Sequence, residues 1–249
     1  MMRTLKVLSA LLTYPTAELM TAGPELRAVL EREAVLPKRE RSAVEALIAD
    51  LAAHDLYDAQ ERYILLFDRT RSLSLHLFEH VHGESRDRGQ AMVDLIKVYE
   101  DGGFTPTTKE LPDFLPLFLE YAATRAPAEA LELIGQPGHV FVALRERLAR
   151  RSSPYEGIFA ALTALSRTRL NAAALAALRA EADPEPDDLE ALDAAWEEEE
   201  VTFGPGSAAA ACGTDVLAAR LRQANRPAPG MEPPPGQRPR TTITHRNAG

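Results

Sequence analysis

Apolar side chains in this chain recur at the spacing i, i+3, i+4, i+7 in window after window, and no convincing alternation of period two appears. Val44, Leu47, Ile48 and Leu51 follow that spacing, as do Met92, Leu95, Ile96 and Tyr99. On a helix such a set forms one stripe, which must be buried against another helix. The pattern predicts an all-α protein. Aromatic residues are sparse at 6% while alanine and leucine abound, which favours close-packed helices over a sheet.

The stripes are interrupted where turn chemistry expects it: Tyr14-Pro15, Leu36-Pro37, Gly83, Asp101-Gly102-Gly103, Ala126-Pro127, Gln136-Pro137-Gly138 and Ser153-Pro154. About ten to twelve helices result, in a single helical-bundle-like domain over residues 1–182. With 45% hydrophobic residues the chain has enough apolar surface for a real core. Gly102 and Gly103 split the helices into two groups, and a hinge at residues 101–103 is expected there. In the segment LPDFLPLFLEY, Pro112 suits an opening turn and Pro116 is expected to bend the helix, with Leu115, Phe118, Leu119 and Ala122 on its buried side.

Charge is distributed unevenly. Residues 181–203 hold 11 acidic and no basic side chains, residues 1–180 hold 24 acidic and 22 basic, and the total is -9. Residues 183–203 read as an acidic helical extension in which Trp196 packs on the body and Glu197 to Glu200 form a solvated end. Residues 204–249 carry 7 of the 18 prolines and read as a disordered Pro/Gly/Ala-rich tail. A nearly neutral body lacks the clustered positive surface that phosphate backbones require, so nucleic acid is not an expected partner.

The start, MMRTLKVLSALL, has a positive end and a short apolar run like a secretory signal. Lys6 leaves only Val7 to Leu12 uninterrupted, and Leu5, Leu8 and Leu12 at helical spacing read better as a first core helix. No segment approaches the roughly 20 apolar residues of a membrane span, so stable membrane insertion is not expected. The lone Cys212 excludes an internal disulfide or a cysteine-based metal site, and a reducing compartment fits. No Gly-rich phosphate loop is present, and no cofactor is expected.

The densest polar signal lies in residues 63–92, YILLFDRTRSLSLHLFEHVHGESRDRGQAM, with three histidines, two glutamates and four arginines. A helical wheel puts Leu73, Leu77, Phe78 and Val81 on one side and Ser72, His76, Glu79 and His80 on the other, the pattern of one amphipathic helix with a polar face. His76-Leu77-Phe78-Glu79-His80 also matches the H-x-x-E-H order of a zinc peptidase helix, so a zinc-dependent hydrolase is one reading. A plain helical adaptor is another.

The run LFDRTRSLSLHLFEHVHGESRDRGQAM, with SPYEGIFAAL at residues 153–162 and the Trp-Glu-Glu segment ending Val201-Thr202-Phe203, closely resembles the NarJ family within the wider TorD-like group. The resemblance extends from about Leu5 to Phe203. It implies an all-helical cytoplasmic protein that is not an enzyme: a system-specific chaperone that binds the N-terminal segment of the catalytic subunit of respiratory nitrate reductase. Such a chaperone keeps the apoenzyme receptive to its molybdenum cofactor and delays membrane docking.

A helical protein has no free sheet edge to offer, so a guest peptide would lie in a groove between helices. The resemblance and the wheel together nominate Tyr63, Phe67, Arg69, Arg71, His76, Glu79, His80 and His82, then Glu84, Arg86 and Arg88, for partner-peptide binding. Tyr155 and Glu156 are expected to open a helix after Pro154, where a carboxylate suits the positive end of the macrodipole, and to support the same surface.

Overall fold

The structure is a computed structural model and describes residues 2–82, 87–106, 109–166 and 170–184. Among these, twelve α-helices follow one another: α1 (Arg3–Leu11), α2 (Ala17–Thr21), α3 (Gly23–Glu33), α4 (Lys38–Ala53), α5 (Leu56–Phe67), α6 (Glu79–His82), α7 (Asp87–Asp101), α8 (Leu115–Thr124), α9 (Pro127–Gly135), α10 (Gly138–Arg150), α11 (Glu156–Leu165) and α12 (Ala172–Ala180). A 3-10 turn, Arg71–Leu73, stands between α5 and α6. The all-α expectation holds, and the helix count falls within the expected range. Cys212, Trp196, Glu197 to Glu200, nearly all of the 183–203 extension and the whole 204–249 tail lie outside the described residues.

Helix ends fall where the sequence places them. Asp55 accepts the Tyr57 and Asp58 amides at the start of α5, and Asn171 accepts the Ala174 amide at the start of α12. Pro127 sits in the first turn of α9, where its missing N–H costs nothing. Pro116 behaves the same way: α8 begins at Leu115, so this proline stands in an opening turn and bends nothing. Helix α1 has no capping side chain of its own. Glu33, at the end of α3, supplies the cap by accepting the Arg3 and Thr4 amides at 2.7 and 2.6 Å.

The core is built on two stacks. In one, α11 packs against both α4 and α10, with α12 on the far side of α10; in the other, α1 lies between α3 and α8. Tyr155, Phe141, Phe159, Leu5, Leu8 and Leu47 are fully buried, so the stripes predicted around Leu5 and Val44 are core stripes. Gly157 lets α11 meet α4, since a Cβ there would stand 2.7 Å from the Ala43 carbonyl. The stripe of α7 is rotated from its predicted place: Leu95, Val98 and Tyr99 are buried while Ile96 is exposed.

The Gly102-Gly103 break closes α7. Gly103 adopts φ 69°, the Phe104 amide returns to the Tyr99 carbonyl at 2.8 Å, and Arg125 Nη2 donates to the Gly102 carbonyl at 2.7 Å.

Candidate functional site

The family-like run does not form the single amphipathic helix that its wheel predicts. After the 3-10 turn Arg71–Leu73, residues 74–78 are non-helical, and α6 contributes only Glu79–His82. His76 forms an isolated antiparallel bridge with Phe114. The Leu77 amide donates to the Asp113 carbonyl at 3.1 Å, and the Leu115 amide donates to the Leu75 carbonyl at 2.8 Å. The physical reason for the failure is burial on both sides. Leu73, Leu75, Leu77 and Phe78 are buried, but so are Ser72 and Ser74, and His76, Glu79 and His80 are half-buried, so there is no fully solvated face for a helix to present.

Polar groups inside this run are satisfied by specific partners. Asp113, fully buried, accepts the Phe78 amide on Oδ2 at 3.0 Å and lies 3.3 Å from His76 Nδ1 through Oδ1. That hydrogen bond holds the His76 imidazole above its ordinary pKa. His80 Nε2 donates to the Ser74 carbonyl at 2.8 Å, and burial pushes its pKa down to about 4, so at neutral pH the ring is uncharged. Glu79 pairs with Arg88 of α7 at 3.0 Å. The His82 ring stands edge-on to Phe78 at 5.4 Å.

The zinc-peptidase pattern loses its geometric basis here. His76 precedes α6, so His76 and His80 are not one helical turn apart on a common face. Their ring nitrogens are instead directed to Asp113 and to the Ser74 carbonyl.

Other nominated residues fall into separate groups. Tyr63, Phe67 and Tyr155 form one aromatic cluster, with Phe67 5.0 Å from each of the other two rings and the partly exposed Tyr14 edge-on to Tyr63 at 5.7 Å. Tyr63, Phe67 and Tyr155 are buried, so they are core beneath the run and make no direct surface for a guest. Tyr63 donates its hydroxyl to the Leu12 carbonyl at 2.8 Å. Glu156 opens α11 as expected and pairs with Arg145 at 2.6 Å. Arg69 is exposed beyond the end of α5, Arg71 lies half-buried in the 3-10 turn, and Glu84 and Arg86 fall outside the described residues.

Several polar residues that organise the site were missed. Asp113 comes from the loop before α8, and only its position between two prolines in LPDFLP hinted at a constrained turn. Arg147 of α10, 2% exposed, donates to the Ser72 carbonyl at 2.7 Å and reaches Glu181 at 3.2 Å. Nothing in the α10 periodicity distinguished it from a surface arginine. Asp183 receives Ser72 Oγ at 2.7 Å.

The elements from α4 to the first part of α11, with the run between them, occupy the part of the chain that matches the profile of the family described as nitrate reductase delta subunit, residues 33–161. The chain belongs to the nitrate reductase delta subunit family. Within that family's relatives, the nitrate reductase molybdenum cofactor assembly chaperone NarJ of Escherichia coli strain K12 is 42% identical over 219 residues, covering 88% of this chain and 91% of that protein. The probable nitrate reductase molybdenum cofactor assembly chaperone NarW of the same strain is 37% identical over 202 residues, covering 81% and 84%. The corresponding probable chaperone NarJ of Bacillus subtilis strain 168 is 34% identical over 169 residues, covering 64% and 83%. In this delta subunit family member, no helix of the described residues is long and apolar enough to cross a membrane.

Proposed function

We propose that this chain is a system-specific assembly chaperone that binds the N-terminal segment of the catalytic subunit of a respiratory nitrate reductase and keeps the apoenzyme competent for molybdenum cofactor insertion before membrane docking. The observation that carries this reading is the 42% identity to a nitrate reductase molybdenum cofactor assembly chaperone over nearly the full length of both proteins. The chain acts by binding, in the cytoplasm, and makes or breaks no bond. Its client, rather than a nucleotide, drives release, because folding of the apoenzyme around its cofactor withdraws the segment that was held.

The grip is formed by the run and its neighbours. Arg69, Arg71, His76, Glu79, His80, His82 and Arg88, with Glu84 and Arg86, line the contact with the guest, and Tyr63, Phe67 and Tyr155 hold the run from beneath. A run whose backbone is largely irregular suits this role, since few helical hydrogen bonds must break for it to adapt.

A genetic experiment tests the function. A strain lacking its own nitrate reductase chaperone should regain nitrate reductase activity and molybdenum content in the enzyme when supplied with this chain. Full-length apoenzyme that stays without molybdenum in the presence of the chain contradicts the proposal.

A further inference from the structure

Residues 181–184 follow α12 and lie over the C-terminal end of α10, where they close on the 3-10 turn. Oδ1 of Asp183 accepts from Ser72 Oγ at 2.7 Å and Arg151 Nη2 at 2.8 Å, while Oδ2 accepts from Arg150 Nη2 at 2.5 Å and Arg151 Nη1 at 3.0 Å. Arg151 Nη2 also donates to the Pro184 carbonyl at 2.8 Å. Beneath this contact, Arg147 joins the Ser72 carbonyl, the Leu178 carbonyl and the Glu181 carboxylate. Burial alone raises the Asp183 carboxyl, yet the hydrogen bonds from Arg151, Ser72 and Arg150 hold it at about 2, so the carboxylate is charged across the physiological range.

Three features distinguish this contact from an ordinary helix end. One carboxylate collects four donors from three side chains, far more than a surface ion pair needs. The segment that supplies it has no regular structure of its own, so these bonds, with those of Glu181 and the Pro184 carbonyl, are what tie it to the body. The turn it grips belongs to the family-like run, whose residues 76–78 are fixed a few positions further on by Asp113. Between these two polar clasps, residues 74–77 have no regular backbone and Arg147 and His80 hold only the Ser72 and Ser74 carbonyls, an arrangement in which release of one clasp loosens a local unit.

We propose that residues 181–184 are a latch: an acidic strap whose closure on Ser72, Arg150 and Arg151 pins the 3-10 turn Arg71–Leu73 to α10, and whose release lets that turn and residues 74–76 move. Its consequence for a client rests on the proposed function: an open latch gives a run that yields more readily to a guest. The latch itself does not depend on that reading.

Hydrogen–deuterium exchange of the full chain, followed by mass spectrometry, tests it. Asp183→Asn should accelerate exchange in residues 70–76 about tenfold while leaving α4 and α11 at their original rates. Arg151→Gln should do the same, and Ser72→Ala should do so to a smaller degree, because it removes one donor of four. Unchanged exchange in residues 70–76 in both Asp183→Asn and Arg151→Gln overturns the latch, as does acceleration spread evenly through α4 and α11, which reports only a loss of global stability. If residues 70–76 open selectively in Asp183→Asn while the affinity for a client peptide stays constant, the latch stands and the client reading of the run fails.

Discussion

His76 Nδ1 stands 3.3 Å from Oδ1 of Asp113, a carboxylate with no solvent exposure. The other Asp113 oxygen takes the Phe78 amide, so one side chain from the loop before α8 fixes both a ring and a backbone group of the run. Removing it leaves a buried N–H without a partner. Asp113→Ala is expected to cost about 2 to 3 kcal/mol, a fall in melting temperature of roughly 4 to 12 °C. Asp113→Asn keeps the shape and one acceptor and should cost less.

The same pair makes stability depend on pH in a direction opposite to that of His80. The folded-state pKa of His76 is raised, so its contribution is fully present below about 6.5 and disappears as the pH climbs through the raised value. His80 is depressed to about 4, so its contribution is complete above about 6.5 and is lost as the pH falls toward 4. Thermal melts of wild type and His76→Ala should differ more at pH 6 than at pH 8.5. For His80→Gln the gap should instead narrow on going from pH 7 to pH 5.

Gly157 is the contact point of α11 with α4, and a methyl group there would meet the Ala43 carbonyl carbon and oxygen at 2.7 Å. Backbone cannot yield as a side-chain tip does. Gly157→Ala is therefore expected to cost about 1 to 3 kcal/mol despite alanine's better helix propensity, readable as a lower urea midpoint.

Arg147 is buried and its partners include the carbonyls of Ser72 and Leu178. Arg147→Met should preserve much of the stem's packing while leaving those acceptors unpaired, at a cost of about 2 to 4 kcal/mol. Arg179, by contrast, forms an exposed pair with Glu146, and Arg179→Ala should change the melting temperature by less than about 2 °C.

Much of this fold is legible in the sequence because helices announce themselves locally. Leu5, Leu8 and Leu12, or Val44, Leu47, Ile48 and Leu51, need only their own spacing to be recognised, and Pro127 or Gly103 marks an end without help from distant residues. The site was less legible for the opposite reason. The wheel for residues 71–82 assumed that one side faces solvent, whereas long-range contacts to Asp113, Arg147 and Asp183 draw polar groups of that side inward and redirect the backbone. Those three partners lie 35 to 111 residues away in the chain, beyond the reach of any periodic pattern. Tyr63 and Phe67 were nominated as possible guest contacts because aromatic type is visible in sequence while depth is not.

Calorimetric titration of the purified chain with the N-terminal peptide of the nitrate reductase catalytic subunit tests the central claim most directly. A dissociation constant of roughly 1 μM or lower, weakened at least about tenfold by Arg71→Ala or His76→Ala, is the predicted result. Absence of binding by the wild-type chain contradicts the account.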